Sequence, residues 1–167
     1  MKTLIAYSTT HGCTGKIAEQ MKNDFGGDVV LVNLKKDTLP DLSLFNRVIV
    51  GGSIHAGQIQ KRVKDFCNQH LNELRNIELG LFITCMEEGD SAQKQLMDAF
   101  PGELQEAAKA TAYFGGEFDF ARMNFLQKMI VKKVAHINQS TSKVDYDAVR
   151  KFSKRMDRIF NPFLFLA

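Results

Sequence analysis

Tyr7-Ser8-Thr9-Thr10-His11-Gly12-Cys13-Thr14-Gly15 places four Ser/Thr hydroxyls and two glycines between an apolar run and a segment with helical spacing. Hydroxyls, backbone N–H groups and the positive end of a helix dipole would all point at one anion there. No Lys or Arg is needed in such a donor set, which suits a phosphate monoester. G-x-G-x-x-G is absent, which argues against a Rossmann dinucleotide site. Gly15-Lys16 is followed by Ile17, and Thr10 stands where a P-loop needs its first glycine, which argues against a nucleotide triphosphatase.

Two further loops match the first in character. Gly51-Gly52-Ser53-Ile54-His55-Ala56-Gly57 is built of small residues that let backbone approach a flat ligand. Thr84-Cys85-Met86-Glu87-Glu88-Gly89-Asp90 follows the next apolar run. Together they would frame one molecule, with phosphate on the first loop and a ring system between the others. A Ser/Thr/Gly-rich turn is often only a turn; three of them, each closing a buried strand, favour a ligand. His55 titrates near neutral pH and reads equally as a proton donor or as a hydrogen-bonded loop residue. Neither Cys13 nor Cys85 starts a C-x5-R phosphatase pattern, and Cys67 falls on an apolar helical stripe. His11, His55, His70 and His136 are scattered singly, so no metal site is expected.

The elements that must position these loops are legible as periodicity. Leu4–Tyr7, Val29–Val32, Val48–Val50, Leu81–Ile83 and Ala110–Phe114 are short, nearly continuous apolar runs, the pattern of strands buried on both faces. Helical spacing runs from Ile17 to Phe25, ahead of Gly26-Gly27, and from Ile59 to Leu74. It recurs over Ser91–Phe100, continued by Glu103–Lys109, and over Asp145–Phe160, where Ser142-x-x-Asp145 reads as a capping box. Strands alternating with helices predict an α/β fold, a doubly wound three-layer sandwich whose ligand lies at the carboxyl ends of the strands. With 167 residues, 44% of them hydrophobic, a single domain over 1–167 is expected. No apolar run approaches the roughly 20 residues of a spanning helix, and the N-terminus does not read as a signal peptide. Three cysteines without a C-x-x-C pair fit a reducing, cytoplasmic compartment.

The S-T-T-x-G-x-T loop, the G-G-S-I-x-x-G loop and the order of elements resemble the flavodoxin-like family, over about residues 2–158. That resemblance implies a five-stranded parallel sheet of order 2-1-3-4-5 and noncovalently bound FMN. It would place the phosphate on Ser8, Thr9, Thr10, Gly12, Cys13 and Thr14. The isoalloxazine would lie against Ser53, Ile54, His55, Ala56 and Gly57 and against Thr84, Cys85, Met86, Glu87 and Gly89. Within the family, the second loop and an extra basic segment are similar to the menaquinone-dependent protoporphyrinogen oxidase branch. This implies an FMN oxidoreductase with a quinone or porphyrinogen as partner; the alternative is an electron carrier without its own substrate. The chain departs from the family in two ways. Trp is absent and neither ring-flanking loop contains Tyr or Phe, so Ile54, His55 and Met86 would cover the ring. Electron-carrying members are usually acidic, whereas this chain carries +3. Glu87, Glu88 and Asp90, if not merely solvated, would lower a nearby flavin's potential.

The positive charge is unevenly placed. Residues 1–121 hold 12 Lys/Arg against 16 Asp/Glu, and residues 122–167 hold 10 against 3. The excess includes an extra segment, about 117–142, between the fifth strand and the last helix. There Arg122–His136 interleaves Leu126, Met129, Ile130, Val131 and Val134 with cations. Such a helix either forms a wall of a substrate site, meets an anionic membrane surface together with the apolar tail Phe160–Ala167, or packs with a solvated basic face. Nucleic-acid binding is not expected, because no aromatic platform or helix-turn-helix pattern accompanies the charge.

Overall fold

The computed structural model describes residues 1–134 and 136–157. In chain order these form β1 (Lys2–Ser8), α1 (Cys13–Asp24), β2 (Asp28–Asn33), β3 (Arg47–His55), β4 (Gln58–Ile59), α2 (Lys61–Gln69), α3 (Leu71–Arg75) and β5 (Glu78–Thr84). Then follow α4 (Gly89–Ala99), α5 (Gly102–Ala107), β6 (Ala110–Tyr113), β7 (Glu117–Phe118), α6 (Phe125–Val134), β8 (Thr141–Ser142) and α7 (Tyr146–Asp157).

Period-2 alternation within strands that are apolar throughout creates two cores. Leu4 and Ala6 of β1, Val48 and Val50 of β3, and Leu79, Leu81 and Ile83 of β5 face one side, under residues of α2 to α5 such as Val63, Phe66, Leu96 and Leu104. Ile5, Ile49, Phe82 and Ala110 face the other, under Ile17 and Met21 of α1 and Val149, Phe152 and Met156 of α7. Three layers result, and each fully buried Leu, Ile or Phe contributes about 1.5–3 kcal/mol. The rings of Phe82, Phe114 and Phe152 stack at tilted or edge angles in the second core, with centroids 5.4–6.5 Å apart. A methyl group on Gly51 would overlap the Phe82 ring, so this glycine serves close approach rather than flexibility.

The five parallel strands run β2-β1-β3-β5-β6, the 2-1-3-4-5 order expected of them. A sixth strand was not read from the sequence: β4 turns back on β3, pairing Ile54 with Ile59 and His55 with Gln58. Its two-residue turn has positive φ at both Ala56 (48°) and Gly57 (75°), the pattern of a type I′ hairpin. Ile59 therefore belongs to a strand, not to the helix expected over Ile59–Leu74, and that helix is itself broken at His70 into α2 and α3.

Ser142-x-x-Asp145 is not a capping box. Ser142 pairs with Glu117 in the antiparallel β7–β8 ladder, and Asp145 itself caps α7, its Oδ1 accepting from the Ala148 N–H at 2.9 Å. At the last described turn of α7, the Met156 carbonyl accepts from both Arg47 Nη2 and Lys109 Nζ, each at 2.7 Å. Cations thus satisfy a carbonyl near the negative end of the helix dipole. The expected helix residues 158–160 and the tail Phe160–Ala167 lie outside the described residues.

Candidate functional site

The first loop turns sharply into α1. Gly12 has φ 96°, a left-handed conformation that disfavours a side chain; its N–H donates to Thr9 Oγ1 at 2.9 Å, and its carbonyl accepts from the Lys16 N–H at 3.0 Å. No side chain caps α1, so its first N–H groups face outward without a capping acceptor, as an anion site requires.

β1, β3 and β5 end side by side, which brings the three loops to one edge of the sheet. Thr9, Thr10 and Cys13 from the first loop, Ser53–Gly57 from the second and Thr84–Glu87 from the third line a single cleft of about 690 Å³. This volume lies within the roughly 300–1,000 Å³ of small-ligand and cofactor sites. The remaining residues singled out, Ser8, Gly12, Thr14 and Gly89, belong to the same loops but do not line the cleft. Ser8 and Thr14 are buried, and the Thr14 hydroxyl is engaged with that of Thr84, 3.0 Å away.

Gln60, Gln95 and Phe118, which sequence reasoning passed over, brace or line the cleft. Gln60, just after the β4 turn, fastens two loops together: its Nε2 donates to Thr10 Oγ1 at 2.9 Å and its Oε1 accepts from the Ser53 N–H at 3.2 Å. Gln95 of α4 lines the cleft with a buried Oε1 that has no partner among the described residues, an acceptor awaiting a donor. Phe118 brings an aromatic ring from β7. Over the opening, α6 presents Gln127, Ile130, Val131 and Val134, spaced i, i+3, i+4 and i+7 on one face; Ile130 and Val134 are still exposed there, as are Phe125, Leu126 and Met129 on the rest of the helix. The apolar stripe signalled this wall; only the fold shows which side turns inward.

His11 and His55 approach from opposite loops with ring centroids 6.2 Å apart. Desolvation by the surrounding loops, and secondarily the His11 charge, hold the His55 pKa below its ordinary value; the ring keeps an exposed edge, so water moderates the effect. Burial pushes the thiols of Cys13 and Cys85 up to about 11, so neither is a ready nucleophile. Among the described residues no three His, Cys, Asp or Glu side chains converge on a metal-sized site, and no helix is long and apolar enough to cross a membrane.

A doubly wound α/β sandwich with a hydroxyl-rich anion loop at its first βα turn defines an FMN-binding class of domain, and comparison with known proteins agrees. Residues 4–145 match the model of the flavodoxin domain, so the chain belongs to that family, whose cofactor is noncovalently bound FMN. It is 23% identical to a protoporphyrinogen IX dehydrogenase [quinone] of Leishmania major, over 91% of this chain and 73% of that one. With the Escherichia coli K12 protein of the same name it shares 29% identity, over 46% of this chain and 44% of the relative. The fold is also that of two-electron reduced Megasphaera elsdenii flavodoxin, with a TM-score of 0.56 at 13% identity over 92% of this chain and 97% of that one. The cleft fits the cofactor on its own chemistry: an uncapped helix start among hydroxyls suits a phosphate, and the orphaned Gln95 acceptor beside an apolar slot suits a ring bearing N–H groups.

Proposed function

We propose that the protein is an FMN-dependent oxidoreductase that takes electrons from a hydrophobic hydrogen donor of the porphyrinogen type and passes them to a quinone. The observation that carries this reading is the α6 wall. Ile130, Val131 and Val134 make the space beside the ring-flanking loops apolar, as a substrate pocket requires. The names of the two relatives favour the same donor and acceptor.

In this reading Thr9, Thr10 and the N–H groups opening α1 hold the phosphate, and Ser53–Gly57 with Thr84–Glu87 flank the ring. When bound, FMN supplies the two-electron redox chemistry. Residues of the chain position and shield. Gln60 keeps the phosphate loop and β3 loop in register, and the α6 face offers apolar contact to a substrate. His55, whose ring is largely neutral at pH 7, stands where it can accept a proton released as the donor is oxidised. Lys128, Lys132 and Lys133, on the same helix as exposed Phe125 and Leu126, suit contact with an anionic membrane surface from which a quinone is drawn.

The test is turnover of a chemically reduced porphyrinogen with a short-chain quinone by FMN-loaded protein, with and without residues 122–136. Turnover that needs the segment supports the enzyme. Turnover unaffected by its removal would discard the α6 wall as a substrate site. A loaded protein that only shuttles electrons between partner proteins would make it a carrier, a reading favoured by the small-flavodoxin fold.

A further inference from the structure

We infer that Arg122, from the segment inserted after β6, is a charged ligand of the cofactor phosphate and ties the position of α6 to occupancy of the cradle. The inference rests on the reading that the first loop holds that phosphate.

Arg122 lies 111 residues from His11 in sequence, yet its Nη1 donates to the His11 carbonyl at 3.2 Å. The same Nη1 packs directly on Gly12, so closely that a methyl group there would overlap it. The guanidinium therefore rests on the phosphate loop itself, beside the uncapped start of α1. Its aim is prepared from behind: Asp119 Oδ2 lies 3.4 Å from Arg122 Nε, while Asp119 Oδ1 accepts from the Ala121 N–H at 3.0 Å and so orients the single helical turn, Phe120–Arg122, that carries the arginine.

The charges around this point are matched except at the cradle. Lys16 of α1 is paired with Glu117 at 2.9 Å, which raises the lysine pKa, and Arg122 shares Asp119. Nη2 of Arg122 has no partner among the described residues. A planar guanidinium with donors to spare, fixed at the edge of a neutral hydroxyl cradle, matches phosphate geometry and adds the charge that the loop lacks.

The chain runs from Arg122 through Met123, which is buried and lines the cleft, directly into α6. None of the residues of α6 is itself buried, so its place over the cleft depends on such tethers. A phosphate that engages Arg122 thereby holds the roof of the cleft, linking the cofactor's tail to the wall beside its ring.

The test compares FMN with riboflavin, which lacks the phosphate, using flavin fluorescence to measure binding to the full chain. Arg122→Ala should weaken FMN about tenfold to a hundredfold, the scale of one charge-assisted hydrogen bond, while riboflavin changes less than about twofold. Arg122→Lys should recover part of the loss. In parallel, inorganic phosphate should slow tryptic cleavage after Lys128, Lys132 and Lys133 in the wild type but not in Arg122→Ala. Equal weakening of both flavins, or protection that persists in the variant, would overturn the inference and leave Arg122 a structural tether. A wild-type protein that binds neither flavin would instead remove the cofactor reading on which it stands.

Discussion

Thr14 and Thr84 share a buried hydrogen bond, Oγ1 to Oγ1 at 3.0 Å, that ties the first turn of α1 to the last residue of β5. Two of the three site loops are thus joined beneath the cleft, much as Gln60 joins the first to the second above it. The loops keep their relative position through side-chain bonds between elements distant in sequence, which local conformation alone would not supply.

Breaking that pair should cost stability. Thr14→Val leaves the Thr84 hydroxyl buried without a partner, for a loss of about 1–3 kcal/mol. Urea unfolding of Thr14→Val, Thr84→Val and the double variant should show the double less destabilised than the singles combined. Strict additivity would mean that the two hydroxyls do not interact.

Arg47 is 2% exposed and holds Glu78 at 2.6 Å and Asp157 at 2.7 Å, besides the Met156 carbonyl. Arg47→Ala should loosen the last described turn of α7, leaving Lys109 as the remaining partner of Glu78 (3.2 Å) and of the Met156 carbonyl, at a cost of about 1.5–3 kcal/mol, the scale of a lost hydrogen bond to a charged group. The change should appear in the urea midpoint with little change in slope.

His55 should titrate below the ordinary imidazole value of 6.5. A pKa lower in the folded than in the unfolded state means that the unfolded chain binds the proton more tightly. Stability from this group is complete above pH 6.5 and is lost as pH falls through the folded pKa. Ring-proton NMR of His11→Gln should show the His55 pKa rising only part of the way back, because desolvation is its larger cause. A full return would make His11 the dominant influence.

The three cysteines should be sluggish toward Ellman's reagent in the folded protein. Burial pushes Cys67 up to about 12 and Cys13 and Cys85 up to about 11, so their thiolates are scarce at neutral pH. Reaction should speed up about tenfold per pH unit as the thiolate fraction grows. Added FMN should slow Cys13 and Cys85, which line the cleft, and leave Cys67 unchanged.

The chain's own pattern determined the sandwich and the edge at which its ligand loops meet. Runs such as Leu4–Tyr7 and Leu81–Ile83, apolar at every position, can be buried only between two layers, and helices between successive strands supply the crossovers that parallel pairing needs. Hydroxyls and glycines before a helix announce an anion loop for the same local reason. What the tertiary structure decided depends on contacts between distant residues. Ile59 looked helical, but a hairpin turn with Ala56 at positive φ, a conformation alanine rarely adopts, folds it onto Ile54. Gln60 bonds Thr10 across 50 residues, and Arg122 reaches His11 across 111. No periodicity encodes such pairs, because their free energy exists only once the sheet has set the strand ends side by side.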